Sequence, residues 1–124
     1  LKINEISKIQ EYKTGKLISW SCEVGPIIAG ENTEPFSLYA AKIGLAFQII
    51  DDILDVTSSS KTLGKNVGKD KDNNKATFVS KLGLDNSKKK ALELVAEACD
   101  AISGFKDRSR NLNQIANFIV SRQF

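Results

Sequence analysis

Histidine and methionine are both absent from this 124-residue chain, and proline occurs only twice. Without histidine, these residues contain no imidazole base, no His-ligated metal and no Ser-His-Asp arrangement. Few prolines together with 41% hydrophobic residues mark a folded rather than a disordered chain. No run of about 18 consecutive apolar residues occurs, so no membrane span is expected. Cys22 and Cys99, the two cysteines, lack metal-ligand spacing and sit in apolar helical contexts. That predicts buried, reduced thiols rather than a disulfide. With no methionine and Leu1 in first position, the natural start and any targeting segment are expected to lie outside this sequence.

The charge is small but uneven. A net +3 hides five basic and eight acidic side chains in residues 1–60, against thirteen basic and seven acidic in residues 61–124. Such asymmetry fits a ligand with cationic and anionic parts, or two differently solvated surfaces.

The periodicity predicts helices throughout. Residues 3 to about 24 space Ile3, Ile6, Ile9, Tyr12, Leu17, Trp20 and Val24 as one amphipathic helix, disturbed near Gly15. Gly25 and Pro26 should end or kink it. "AGENTEPF" reads as a turn, with a second helix opening at Glu34-Pro35 and running to about Val56. "TSSSKTLGKNVGKDKDNN" reads as a long polar loop, and "KATFVSKLG" as a short helix capped by Gly83. The next helix should start at an Asp85 or Ser87 N-cap and turn Leu92, Val95, Ala96 and Cys99 to one face. A last helix over 111–122 should bury Leu112, Ile115, Ala116 and Ile119. No strand alternation or hairpin signal appears. The fold class is all-α.

The chemistry concentrates in "GLAFQIIDDILD", residues 44–55. At roughly 100° per residue, Gly44, Gln48, Asp51, Asp52 and Asp55 share a stripe about 100° wide on an otherwise apolar helix. Like charges crowded there need a positive partner. Carboxylates at i, i+1 and i+4 offer hard oxygen ligands to Mg²⁺, which often bridges to phosphates. The plain alternative is a solvated acidic face, but the flanking residues are too apolar for a surface helix.

Lysines supply the counter-charge. In "EYKTGKL", Lys13 and Thr14 stand beside a mid-helix glycine that favours a local bend, exposing a carbonyl and turning an ammonium inward. The alternative is that Lys13 and Lys16 merely snorkel. Lys65, Lys69, Lys71 and Lys75 follow the acidic helix, either as a solvated run or as a lid over an anion. Aspartates, Mg²⁺ and lysines together make a site for a di- or polyphosphate. A Walker loop is not present. Nucleic acid fits poorly, because the charges are lysine without interleaved aromatics and carboxylates flank them.

These segments resemble a known family. "GLAFQIIDDILD" is similar to the second aspartate-rich motif of trans-isoprenyl diphosphate synthases, the polyprenyl synthetase family. "KTGKLI" resembles their diphosphate-binding lysine-threonine element, and "LGKNVGKDKDNNKATFVSKLG" their lysine loop and following helix. "LNQIANFIVSRQF" resembles the carboxyl terminus of the bacterial farnesyl branch. The resemblance implies an all-helical isoprenoid-synthase fold, of which residues 1–124 form the carboxyl-terminal part of a single domain. It implies a cytoplasmic, Mg²⁺-dependent enzyme, homodimeric at full length, that condenses an allylic diphosphate with isopentenyl diphosphate to farnesyl or geranylgeranyl diphosphate.

Carried over by position, Asp51 is the main metal ligand, with Asp52 and Asp55 supporting it directly or through water. Lys13 and Lys65 hold the allylic diphosphate. Thr14 and Gln48 direct oxygen dipoles at the developing cation, and Phe47 borders its pocket. Asp70 and Lys75 match loop positions that close over the metal-diphosphate cluster, and Arg122 reaches the second diphosphate. Lys13, Thr14, Gln48 and Asp51 are thus the expected catalytic set.

Two departures stand out. The family's first aspartate-rich motif, with its paired arginines, is absent, and Gln10 stands where a histidine is common. The chain alone should therefore be catalytically incomplete. Three other readings stay open: a terpene synthase, a non-catalytic regulatory subunit of a heteromeric synthase, and an incidental helical bundle. The lysine loop and "KTG" favour elongation over cyclisation. Intact Lys13, Gln48, Asp51 and Lys65 argue against a degenerate partner.

Overall fold

The computed structural model describes residues 1–62 and 76–122, the side chains of 58–62 excepted. Among them the chain forms helices and no strand, as the periodicity predicts. The order is α1 (Ile3–Gln10), a π-helical turn (Glu11–Gly15), α2 (Lys16–Ala29), α3 (Glu34–Thr62), α4 (Phe78–Leu82), α5 (Leu84–Ala101), a 3₁₀ segment (Ser103–Ser109) and α6 (Arg110–Ser121). None of these helices is long and apolar enough to cross a membrane.

The hub is α3, which packs against every other α-helix and the π turn. At 29 residues it is about 43 Å long. Its inward positions Tyr39, Ile43, Ala46, Ile49, Ile50 and Ile53 are all buried. They meet Ile6, Phe78, Leu94, Val95, Ile102 and Ile119 in one continuous core. Burying each large aliphatic chain contributes about 1.5–3 kcal/mol, so the packing of α3 dominates the fold. The Tyr39 phenol donates to the Leu112 carbonyl at 2.7 Å, which ties α3 to α6. Burial, followed by the nearby Cys22 and Cys99, raises the pKa of that phenol.

Several boundaries differ from the periodic reading. The first long helix does not stop at Gly25-Pro26: α2 runs through Pro26 to Ala29. The proline loses one backbone bond, but its ring is buried. A left-handed Gly30 (φ 72°) ends the helix instead, with Gly30 N–H on the Ile27 carbonyl and Glu31 N–H on that of Pro26. The acidic helix continues beyond Val56 to Thr62, with Thr57 Oγ1 donating to the Ile53 carbonyl. The rest of the expected loop, 63–74, lies outside the described residues, as does Lys75 of the short helix expected after it.

Neither Asp85 nor Ser87 caps α5. It begins directly after Gly83 (φ 83°), which also closes α4. Its inward face is Ser87, Ala91, Leu94, Val95 and Ala98; of the predicted Leu92, Val95, Ala96 and Cys99, Val95 is buried and Cys99 half-buried, whereas Leu92 and Ala96 are exposed. Leu92 is 59% exposed. The small residues Ser87, Ala91 and Ala98 let α5 lie close against α3, and that choice of face overrides the bulk of Leu92. On α6, Ala116 and Ile119 are buried and Leu112 half-buried, but Ile115 is exposed rather than inward. Both cysteines are free and half-buried, and burial raises both thiol pKa values, helped by Glu23 beside Cys22 and Asp100 beside Cys99.

Candidate functional site

The disturbance expected near Gly15 is a π turn. Lys16 N–H bonds back five residues to the Glu11 carbonyl rather than four, so the helix bulges by one residue over "EYKTG". Such bulges re-aim side chains and recur at functional sites. This one lies against α3. A Cβ added at Gly44 would stand 3.8 Å from Gly15 Cα and 3.6 Å from Ile18 Cδ1, so two glycines let the backbones nearly touch. One turn further along α3 come Phe47 and Gln48, and one more brings Asp51.

Thr14 and Gln48 are half-buried, whereas Lys13 is exposed and makes no ion pair among the described residues. The crossing therefore joins the element carrying Lys13 and Thr14 to the one carrying Gln48 and the aspartates. Lys65, Asp70 and Lys75 lie outside the described residues.

Asp51 and Asp52 face different partners. Asp52 Oδ2 accepts the Phe78 backbone N–H at 3.1 Å, so it holds the first amide of α4, whose N-cap is the Thr77–Ser80 hydroxyl pair. Asp51 Oδ1 accepts from Arg122 Nη2 at 3.0 Å, with the Asp51 side chain 43% exposed and that of Arg122 only 13%. Asp55 is exposed and carries contacts of its own. Among the described residues no group of three or more carboxylates or thiols gathers around one point. The reason is helical geometry: positions 51 and 52 diverge by about 100°, and each is drawn to a different neighbour.

Arg122 is the residue whose position local patterns could not give. Besides Asp51, its Nη2 donates to the Phe47 carbonyl at 3.4 Å, its Nε donates to the Ile119 carbonyl at 3.2 Å, and its guanidinium lies 4.4 Å from the Phe47 ring centre. It therefore sits on the acidic stripe itself. Asp52–Phe78 and Asp51–Arg122 are separated by 26 and 71 residues, and no sequence signal marks either pair.

Cavities adjoin the helices among the described residues. One of about 440 Å³ lies beside Arg122, between α3 and the exposed edge of α5, lined by Ile53, Leu54, Thr57 and Leu92. Another of about 300 Å³ lies at the opposite end of α3, between Pro26, Phe36, Phe105 and Leu112.

A polyprenyl synthetase family model matches residues 1–115. Over 123 residues the chain is 42% identical to a geranylgeranyl diphosphate synthase of Cyanophora paradoxa, covering 97% of this chain and 41% of that protein. Over 125 residues it is 38% identical to a farnesyl diphosphate synthase of Micrococcus luteus, covering 98% and 43%. Among solved structures, a FPP/GFPP synthase from Zymomonas mobilis superposes with a TM-score of 0.80 at 34% identity, over 96% of this chain and 39% of that one. The chain thus spans about two fifths of the length of these relatives. With the all-helical fold, the π turn crossing an aspartate-bearing helix and these matches, the chain belongs to the polyprenyl synthetase family.

Proposed function

We propose that this chain is part of a short-chain trans-prenyltransferase domain and contributes the allylic-diphosphate half of its site. The reaction is condensation of an allylic diphosphate with isopentenyl diphosphate, yielding farnesyl or geranylgeranyl diphosphate. The observation that supports this reading is the glycine-to-glycine crossing, where the turn carrying Lys13 and Thr14 packs on α3 at Gly44, one turn before Gln48. The relatives' names, farnesyl and geranylgeranyl diphosphate synthase, agree with it.

Allylic C–O cleavage separates an anionic diphosphate from a delocalised cation. Lys13, exposed and without a partner ion among the described residues, is suited to hold the anion. A π bulge also leaves backbone carbonyls without their usual helical partners, so Thr14 and its neighbours offer oxygen dipoles to the cation alongside Gln48. Preorganised dipoles of this kind are each worth about 100- to 1,000-fold in rate. The Phe47 ring walls the same face and excludes water that would trap the cation.

Mg²⁺ fits these residues. The donors are all hard oxygens, Asp51 is accessible from solvent, and this ion is content with one or two carboxylates plus waters and phosphate. Asp51 would hold it directly, with Asp52 and Asp55 as direct or water-linked supporters. When bound, Mg²⁺ supplies Lewis-acid neutralisation of the departing diphosphate.

Lacking the first aspartate-rich motif, this chain should not turn over by itself. It should bind pyrophosphate weakly and only with Mg²⁺, and Asp51→Ala should abolish that binding. Isothermal calorimetry with and without Mg²⁺ checks this, and equal affinity in both proteins would refute the site.

A further inference from the structure

We propose that Arg122 is the resident counter-ion of Asp51: it occupies the carboxylate when no divalent cation is present and is displaced when one binds. The inference deepens the site reading above and depends on Asp51 being a cation ligand. It goes beyond that reading in making one carboxylate oxygen the object of competition between a side chain and a metal.

The geometry is specific. Arg122 Nη2 is 3.0 Å from Asp51 Oδ1, one of the two oxygens the carboxylate could offer a cation. The Arg122 side chain is 13% exposed, and it is held by the Phe47 ring, the Phe47 carbonyl and the Ile119 carbonyl. Such a planar, permanently charged group is held far more firmly than a surface lysine would be. It balances the charge of a carboxylate that α3 leaves only partly exposed. A divalent cation ligated through Oδ1 stands next to the guanidinium, and the repulsion between the two charges favours release of Arg122. Departure of Arg122 also uncovers the Phe47 ring and frees a cation at the mouth of the site to meet an incoming phosphate oxygen.

The test uses Mn²⁺ alone as probe, its free concentration read by electron paramagnetic resonance. Arg122→Gln should bind Mn²⁺ tighter than wild type by roughly 5- to 50-fold, as expected for removing one partly buried, charge-assisted pair. Arg122→Lys should fall between the two, because it keeps the charge but cannot make all three polar contacts. Arg110→Gln removes an equal charge about 18 Å away along α6 and should change affinity less than twofold, since that distance exceeds the Debye length. Asp51→Asn should lose binding.

A second readout reports displacement itself. Trypsin cuts after arginine, and a guanidinium engaged on Asp51 is protected. Cleavage after Arg122, followed by mass spectrometry, should speed up as Mn²⁺ saturates the wild type and should be fast and Mn²⁺-independent in Asp51→Asn. If Arg122→Gln binds no tighter than wild type while Asp51→Asn loses binding, the competition is wrong and the cation site stands. Unchanged cleavage at saturating Mn²⁺ likewise rejects displacement. If Asp51→Asn keeps wild-type affinity, or no protein in the series binds Mn²⁺, the site reading fails and the competition with it.

Discussion

At the scale of single residues, the informative groups are those whose partners lie far away in sequence. Tyr39 is buried, and its hydroxyl serves the Leu112 carbonyl 73 residues on. Tyr39→Phe keeps the ring and removes the bond, so it should cost about 1 kcal/mol in urea-unfolding stability. The same variant carries a pH signature. The folded-state pKa of this phenol is raised by burial, so the native chain keeps its proton where the unfolded chain has lost it. Stability from this group is complete below the unfolded value of about 10 and declines as pH rises above it. Tyr39→Phe should therefore show a shallower alkaline loss than wild type in thermal melts between about pH 9 and 11. That Gln48 and the three aspartates lie along one helix was legible from spacing. The pairings of Asp51 with Arg122 and Asp52 with the Phe78 amide were not, because they depend on which helices become neighbours.

At the scale of elements, helix type was readable and helix face was only partly so. On α5 the apolar residues permit two overlapping faces, and periodicity alone chose the one with Leu92. Packing chose the face of Ala91, Leu94, Val95 and Ala98, because small side chains bring α5 close to α3. Leu94→Ala should thus cost about 2–5 kcal/mol, whereas Leu92→Ala should stay within about 0.5 kcal/mol. Equal losses in denaturant titrations would return the helix to the face predicted from sequence. The end of α2 makes a related point. Pro26 is a stop signal only when nothing offsets its missing bond, and here the stop is the left-handed Gly30. Gly30→Ala meets no atoms within 4 Å, so its penalty is purely conformational, about 1–2 kcal/mol. A chemical-denaturation midpoint measures it directly. The π turn was foreseen as a bend at Gly15, and its five-residue hydrogen bond is what the three-dimensional packing against Gly44 adds.

At the scale of the whole molecule, the outer face of α2 stands out. Leu17, Trp20, Ile27 and Ile28 project within about 100° of one another, and all are exposed, Ile28 by 81%. A stripe of this kind on a chain spanning two fifths of its relatives' length favours association. Sedimentation velocity should show concentration-dependent self-association of this chain. The double variant Trp20→Glu and Ile28→Glu should return it to monomer without loss of helical circular dichroism.

The sequence by itself determined that the chain is helical, where most helices begin, and that three aspartates lie close together along α3. Those properties follow from short-range periods, capping chemistry and residue type, which are local. Only the tertiary structure decided which face of α5 meets α3, that a π bulge presses its glycine onto Gly44, and that Arg122 claims Asp51. These are contests between alternatives of similar local energy. They are settled by how closely distant segments can approach, and a linear pattern does not encode that distance.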